Sequence, residues 1–570
     1  MNETTKKFIE KLIIIISMII IAFFAYSITP KTFQNDTFYT IKIGEHIVQN
    51  TEKITDLLPW NKGLDMKDPF SWHENLPYTY PHWLYGIYSI GGFKGIYYAT
   101  CVLSITLGLV IFGINKKINK STILSFGMTI ASLYCLKNFI TARAQLVTFI
   151  LFALTYFFIE MFLKTRKLRY AIVLIIIPII IANIHCAVWP FYFILYLPFL
   201  AEQLIYFVVT VDYKNLYEKI VLFFKKRKIS KEEFNEKRKI FKEQKEIRDK
   251  KVKKNLSNLY KVKFDREKNI KWLILIVVIC AFTGLITPIK GTPYTYLIKT
   301  NEGNTTQNIS EHLPLTLVKN DNMMVILTIL LGILIFTRTK IKVRDFFMLA
   351  GLILLSFMSQ RQVSMLVLIG NFILLKLICD LYDAIKLKVK SESQKNTYFI
   401  ATLSVFSVVA ILICGMSFKG CDEKKHDSYV DDKSYPVSAS NYIINDLIPK
   451  VGVEKLRLYN EYNYGSYLLF RGIPVFIDSR ADLYAPEFNG KKNSEGEYDG
   501  RDIFTDFLDI SSLAANYENE FENYDVTHVI TYSNSKLNSL IAKDSNYEEL
   551  YDDGRFTIYE RLSANDNEVN

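Results

Sequence analysis

Leu12-Ile-Ile-Ile-Ile-Ser-Met-Ile-Ile-Ile-Ala-Phe-Phe-Ala-Tyr26 is an unbroken uncharged run that follows Lys6, Lys7 and Lys11. As a helix rising about 1.5 Å per residue, this run and its flanks approach the ~30 Å thickness of bilayer hydrocarbon. No small-residue cleavage site follows it, so it reads as an uncleaved span rather than a signal peptide. The three lysines before it place the N-terminus on the cytoplasmic side.

Working outward, the same kind of run recurs. Ile96–Ile114, Leu146–Leu163, Tyr170–Ile181, Trp189–Val209, Trp272–Thr287, Met323–Thr337, Asp345–Met358, Val363–Ile378 and Tyr398–Met416 are long or nearly long enough to cross. With the less apolar Ser121–Ile140, the reading is about eleven spans. Tyr170–Ile181 is short for a span, and Trp83–Gly95 reads as a partial helix. Half of the 570 residues are hydrophobic, which fits a chain that is mostly membrane-embedded. The expected architecture is a polytopic α-helical membrane domain over residues 1–417, followed by a small extracytoplasmic α/β domain over 426–570.

Lysines and arginines orient the spans. Lys116–Lys120, Lys164–Arg169, the stretch 213–271, Arg338–Arg344 and Lys386–Lys395 all fall on the cytoplasmic side when the spans alternate from an inside N-terminus. An odd number of spans then leaves the tail outside. The formal net charge of +12 hides a division between the strongly basic insertion 213–271 and an acidic tail. A basic stretch beside the membrane is read as lying on anionic headgroups, so no nucleic-acid partner is expected.

From about His426 the apolar residues are spaced among Asp, Asn and Tyr. Helices are predicted at Ala439–Leu447, Tyr464–Phe470, Ile503–Ala515 and Ser535–Ala542, and strands at Leu456–Tyr459, Pro474–Asp478 and Val526–Tyr532. Glu548–Tyr551 and Arg555–Glu560 flank Asp552-Asp-Gly, a hairpin signal. The seven cysteines are scattered without a CxxC, so neither a disulfide framework nor a thiolate zinc site is implied. No GxxxxGKS/T or GxGxxG loop is present, which argues against a cytoplasmic nucleotide-binding domain.

Chemistry then belongs to the outer face, above all to the first loop, residues 29–82, which is crowded with acids, histidines and aromatics. Asp36, Asp68 and His82 lie in that loop; Arg143 begins the fourth span; His185 lies between spans five and six; Glu311 and His312 follow span seven; Arg361 begins span ten. Ionisable groups at membrane depth cost about 2.5 kcal/mol or more each unless solvated or paired, so several on one face imply a water-accessible cavity. Each has a plainer reading. For Asp36 it is an interfacial helix cap, the lesser reading; for Arg143 and Arg361 it is a side chain snorkelling to lipid phosphates, an even alternative; for His185 it is a hydrogen-bonded core histidine, the commoner case. Glu45 and His46, on the helix-like stretch Thr37–Gln49, read as a solvated face.

In order, however, Asn35-Asp-Thr-Phe-Tyr39, Ile43-Gly44-Glu-His-Ile47, Asp68-Pro-Phe-Ser-Trp72 and Pro81-His-Trp-Leu84 resemble the first outer loop of bacterial GT-C-fold membrane glycosyltransferases. The group is that related to protein O-mannosyltransferases and lipid A aminoarabinose transferases. Arg143-Ala-Gln145, Asn183-Ile-His185 and Ile309-Ser-Glu-His312 are similar to short motifs of such proteins. So are Leu458-Tyr-Asn-Glu-Tyr-Asn-Tyr-Gly465 and Val475-Phe-Ile-Asp-Ser-Arg-Ala-Asp-Leu-Tyr484 in the tail.

The resemblance implies transfer of a sugar from a polyprenyl-phosphate donor to a glycan or protein acceptor at the bilayer's outer face. Such chemistry needs a carboxylate to take the acceptor's proton and cations to hold the phosphate. Asp36 is the expected base; Asp68 and His82 are second choices, to position the acceptor or bind a cation. Arg143 and Arg361 would hold the lipid phosphate, with His185 and Glu311 as further substrate-binding residues. Many such proteins carry a second acid beside the first-loop aspartate, whereas Asp36 is followed by Thr37; no obligatory metal or other cofactor is therefore expected, although a divalent cation is possible. In the tail, Asp478, Arg480 and Asp482 read first as an ion-paired turn. The rival readings are a transporter or flippase for a lipid-linked glycan, and a non-catalytic membrane scaffold.

Overall fold

The computed structural model describes residues 3–49, 79–119, 121–210, 259–264, 267–287, 291–303, 308–337, 339–386 and 392–562, with a few isolated positions between 236 and 243. Asp68 and most of the basic insertion 213–271 lie outside the described residues.

Up to residue 423 the described chain is mainly helical. In order come α1 (Glu3–Ile28), α2 (Asn35–Val48), α3 (Thr79–Ile118), α4 (Thr122–Leu136), α5 (Ala144–Thr165), α6 (Leu168–Ile184), α7 (Trp189–Ile194) and α8 (Leu197–Thr210). Next are β1 (Val262–Lys263), α9 (Ile270–Cys280), α10 (Thr292–Glu302), α11 (Asp321–Phe336), β2 (Ile341–Lys342), α12 (Val343–Met358), α13 (Val363–Lys386) and α14 (Glu392–Glu423). Every one of the expected apolar segments coincides with helix along most of its length. Among the described residues, six helical segments are long and apolar enough to cross a membrane, and three more are apolar but shorter. The expected count of eleven is therefore not reached by length and composition. The shortfall has local causes: α4 gives way to a 3-10 turn at Lys137–Phe139, and α12 opens on Arg344 and Asp345.

Two features of the first loop's surroundings matter for the site. The partial helix expected at Trp83–Gly95 is the first half of α3, which kinks at Gly92, where φ is +56°. A side chain there would be strained in that left-handed conformation. At Gly44 of α2, a Cβ would lie 2.1 Å from the carbonyl oxygen of Pro81, so only glycine lets α2 pack this closely on the start of α3. With α3 on one side and the tail on another, α2 is covered on more than one face. His46 is accordingly buried, which corrects its reading as part of a solvated face, whereas Glu45 stays part-exposed and pairs with Lys42 at 2.8 Å.

α1 and α14 run together, with the rings of Phe23 and Phe418 5.0 Å apart. Just past α14, Lys424 Nζ donates to the carbonyls of Tyr26 (2.6 Å) and Thr29 (2.9 Å). The last carbonyls of a helix have no partner within it, and this lysine supplies one from the far end of the chain.

The tail contains α15 (Val437–Tyr442), a π turn at Ile443–Leu447, α16 (Ile448–Val451), β3 (Leu458–Tyr459), α17 (Tyr462–Phe470), α18 (Pro486–Asn489), α19 (Ile503–Ser512), α20 (Tyr517–Asn523), β4 (His528–Tyr532), α21 (Lys536–Ile541), β5 (Tyr547–Asp552) and β6 (Phe556–Arg561). The four-stranded sheet has the order β3-β4-β6-β5. β3 and β4 are parallel, with Leu458 opposite His528, and β5 and β6 form the expected antiparallel hairpin.

The strand expected at Pro474–Asp478 does not form. Asn460 occupies its hydrogen-bonding groups, accepting from Phe476 N at 2.7 Å and donating to Ile477 O at 2.8 Å. The segment is apolar because it is buried, and a single side-chain amide does the work of a neighbouring strand.

The tail and α2 share one core. Phe38 of α2 is fully buried against Tyr435, Tyr467 and Phe470 of the tail at ring distances of 5.0, 5.2 and 5.7 Å. Burying a Phe side chain contributes about 1.5–3 kcal/mol. Asn35 Nδ2 also donates to Tyr462 O at 2.9 Å, which ties the start of α2 to the start of α17.

Candidate active site

Asp36 lies in the first turn of α2, where the positive end of the helix dipole favours a carboxylate. Arg143 is the residue before α5, held extended at φ −128° and ψ 157°, so its side chain points past the helix end. The two are in direct contact, Arg143 Nη2 on Asp36 Oδ2, with each side chain about one-fifth exposed. The hydroxyl of Thr37 leans on Ala142 O at 3.4 Å and helps hold the two segments in register.

Glu311 continues this chain of charges. It lies in the 3-10 turn Ser310–His312, 3.7 Å from Arg143 Nη1 and 3.8 Å from Arg361 Nη1. Arg361 lies in a second 3-10 turn, Gln360–Gln362, which links α12 to α13. The two turns are fastened by Gln360 N donating to Leu313 O (3.0 Å) and Ser359 Oγ donating to Glu311 O (3.3 Å). Burial by itself would raise the Glu311 carboxyl, but the guanidiniums of Arg361 and Arg143 outweigh it and hold the group below the usual carboxylate range. Burial and the nearby Arg361 push the neighbouring His312 below the ordinary histidine range.

Asp36, Arg143, Glu311 and Arg361 thus alternate in sign along one line. They come from four separate segments, all at helix ends. His185 sits beside them at the end of α6, with Arg361 and Arg143 as its electrostatic neighbours. Its Nδ1 is 3.1 Å from Thr148 Oγ1 of α5. That contact matches the plainer reading of His185 as a hydrogen-bonded interior residue, placed at the edge of the charged line. His82 is different: it is exposed on the first turn of α3 and, among the described residues, makes no hydrogen bond or ion pair with the line. Asp68 lies outside the described residues.

Several residues beside the line come from further away. Tyr39, one turn beyond Asp36, lies under the Arg480 guanidinium at 5.9 Å. Burial, and then the adjacent Asp36, push its phenol well above the usual tyrosine range. Helical spacing of three from Asp36 was the available signal for Tyr39. Tyr296 of α10 donates a hydrogen bond to Asp482 in the tail, and no local signal joins those two. Tyr462 donates to Ser479 O at 3.1 Å and has Asp36 among its electrostatic neighbours.

Asp478 and Arg480 form a fully buried ion pair. Arg480 Nε donates to both carboxylate oxygens at 2.9 and 3.1 Å, and Tyr484 OH adds a bond at 3.0 Å. The motif Asp478-Ser-Arg480 is a structural clasp that presents the face of Arg480 to Tyr39 of α2, while Asp482 beyond it meets Tyr296 of α10. Among the described residues, no three His, Cys, Asp or Glu side chains come together as a metal site.

The arrangement offers two carboxylates and two guanidiniums, each partly exposed, beside the start of α17 in the tail. A forked guanidinium matches the oxygens of a phosphate, and a carboxylate fixed by such a partner is positioned to accept a proton from a bound hydroxyl or amide.

A second ionic network, which the sequence reading did not anticipate, lies at the opposite ends of the same helices. Arg344 meets Glu267 at 2.7 Å, Glu160 at 3.3 Å and Glu202 at 3.7 Å. Lys376 meets Glu160 at 3.0 Å and Asp345 at 3.4 Å. Charged residues are therefore found at both ends of the helical region rather than on one face only.

No known family model matches the sequence. No curated protein matches it either. Among solved structures, the chain is similar to a crystal structure of the Archaeoglobus fulgidus oligosaccharyltransferase tethered with an acceptor peptide containing the NVT sequon via a disulfide bond. The match has 12% sequence identity and a TM-score of 0.49, and it covers 97% of this chain and 74% of the other. At that level the likeness assigns neither activity nor substrate.

Proposed function

We propose that this protein is an integral-membrane glycosyltransferase of the GT-C type that moves a sugar from a polyprenyl-phosphate carrier to an acceptor at the outer face of the membrane. One observation carries the reading: the line Asp36–Arg143–Glu311–Arg361, assembled at helix ends, with Arg480 of the tail over Tyr39 one turn from Asp36. Its members include residues of three motifs whose resemblance to such enzymes is legible in the sequence.

In this reading Asp36 accepts the proton of the acceptor hydroxyl or amide as its heteroatom bonds to the sugar's anomeric carbon. The bond from that carbon to the phosphate oxygen breaks, and the polyprenyl phosphate leaves as an anion. Attack opposite the leaving group inverts the anomeric centre. Arg143 and Arg361 hold the departing phosphate, and Glu311 between them sets the spacing of the two guanidiniums. A guanidinium has five donors, so Arg143 can keep Asp36 while turning others toward the phosphate. Asp36 is already neutralised by Arg143, which favours transfer without an obligatory metal. The orientation proposed with this function puts the lysine-rich helix ends in the cytoplasm and the tail outside.

Purified protein incubated with a labelled polyprenyl-phosphate sugar and membrane-extract acceptors is expected to release polyprenyl phosphate and label an acceptor. Movement of the intact lipid-linked sugar between leaflets without release would instead establish a flippase, and neither outcome would leave the scaffold reading.

A further inference from the structure

At the end of the helical region opposite the Asp36 site, a cavity of about 280 Å³ opens between α3, α5, α12 and α13. Six lysines line it, Lys117, Lys164, Lys263, Lys340, Lys342 and Lys376, against three carboxylates, Glu160, Asp345 and Asp380. They converge from distant parts of the chain. β1 pairs in parallel with β2, setting Lys263 beside Lys342, while Lys117 and Lys164 come from the ends of α3 and α5.

The carboxylates are engaged at the base and one side of the cavity. Lys376 takes Glu160 and Asp345, and Lys263 takes Asp380 at 2.9 Å. Lys117 and Lys164 are exposed at the rim and reach no carboxylate among the described residues. The rest of the wall is apolar, with Ile114, Ile118, Phe157, Met161 and Leu377.

Like charges gathered around a concave space repel unless an anion sits among them. The polar part of this cavity calls for a compact, multiply accepting anion, and the apolar part for hydrocarbon. Both parts sit at the end of helices long enough to cross a bilayer, where phosphate and acyl chain meet. We propose that this cavity is a binding site for the phosphate headgroup of an anionic phospholipid, with the first carbons of its chains along Ile114, Ile118 and Phe157. The site is separate from the transfer chemistry: along α5 its lining residues Tyr156 to Lys164 lie 13 to 21 residues, about 20 to 32 Å, from Arg143.

The test uses the full chain in phosphatidylcholine vesicles carrying spin-labelled phosphatidylglycerol or spin-labelled phosphatidylcholine, with the protein-immobilised fraction of each lipid measured. Wild type is expected to prefer the glycerol lipid. The preference is expected to fall at least about fivefold in Lys117→Gln/Lys164→Gln/Lys342→Gln, since one lysine near a membrane surface is worth about that factor. It should be unchanged in the control Lys433→Gln/Lys450→Gln/Lys455→Gln, made at exposed lysines of the tail. Equal immobilisation of both lipids by wild type, or an equal loss in the control, would overturn the proposal. Displacement of phosphatidylglycerol from wild type by millimolar inorganic phosphate would also overturn it, because the site would then be one for free phosphate. That last measurement needs no variant and is independent of any effect on folding.

Discussion

The contact between Arg143 and Asp36 is the joint on which the proposed chemistry turns, and a double-mutant cycle reads it directly. The variants are Asp36→Asn, Arg143→Gln and the pair combined. Opposite charges about 4 Å apart attract by about 4 kcal/mol at an effective dielectric near 20. Both side chains are about one-fifth exposed, so water and desolvation reduce this toward the 1.5–3 kcal/mol typical of a hydrogen bond to a charged group, roughly. The other contact of Arg143 is weaker: Glu311 is 3.7 Å away and 41% exposed, which places that pair at about 1 kcal/mol or less. The cycle should therefore give a coupling of about 1.5–3 kcal/mol for Arg143 with Asp36, measured as unfolding free energy in mixed micelles, and a smaller value for Arg143 with Glu311.

The same variants report on catalysis. Asp36→Asn is expected to lower kcat by about 10²- to 10⁴-fold, the usual contribution of a general base. Arg143→Gln should raise the KM for the lipid donor as well as lower kcat, because in the proposed mechanism Arg143 both positions Asp36 and holds the phosphate. A coupling below about 0.5 kcal/mol would refute the pair. Wild-type transfer by Asp36→Asn, in protein that still inserts and folds, would remove Asp36 from the mechanism.

Other expectations follow from the tail. Asp478→Asn leaves Arg480 buried opposite a neutral partner and should destabilise the tail by about 3–5 kcal/mol, read as a lowered unfolding midpoint and faster proteolysis near residue 480. Phe38→Ala removes a fully buried ring shared by α2 and the tail; the expected cost is about 3–5 kcal/mol, with the tail becoming protease-sensitive while the helical region remains inserted. Glu461 is pushed up to about 7 by burial. Its proton is retained in the folded tail after the unfolded chain has lost it, so this group's contribution is full below about pH 4.5 and is lost as pH rises through about 7. At about 1.4 kcal/mol per pH unit over the interval from 4.5 to about 7, the loss is at most about 3.5 kcal/mol. Glu461→Gln should flatten the dependence of the tail's unfolding on pH across that window, and an unchanged slope would refute the assignment.

The helical character of the described residues up to 423 is legible in the sequence, because a run such as Leu12–Tyr26 has no soluble alternative and the lysines around it bias its ends. Asp36, Arg143, Glu311 and Arg361 are also visible as charges stranded at the ends of such runs. The Asp552-Asp-Gly turn gives its hairpin for the same local reason: short-range geometry and side-chain chemistry suffice.

Pairing is what those local signals do not carry. Asp36 meets Arg143 only because α2 packs on α3 at Gly44 and against the tail at Phe38. Tyr296 meets Asp482 across a separation of 186 residues. The apolar Pro474–Asp478 segment has a strand's composition, yet Asn460 takes its backbone groups and no strand forms. Lys117, Lys164 and Lys342 read singly as ordinary loop charges and Lys263 as part of a basic stretch on lipid headgroups, and only packing brings them to one lined cavity. Periodicity and charge state which side of a helix is apolar and which of its ends is wet, whereas the choice of partner depends on closing loops of a hundred residues or more, and that closure leaves no mark in the order of neighbouring residues.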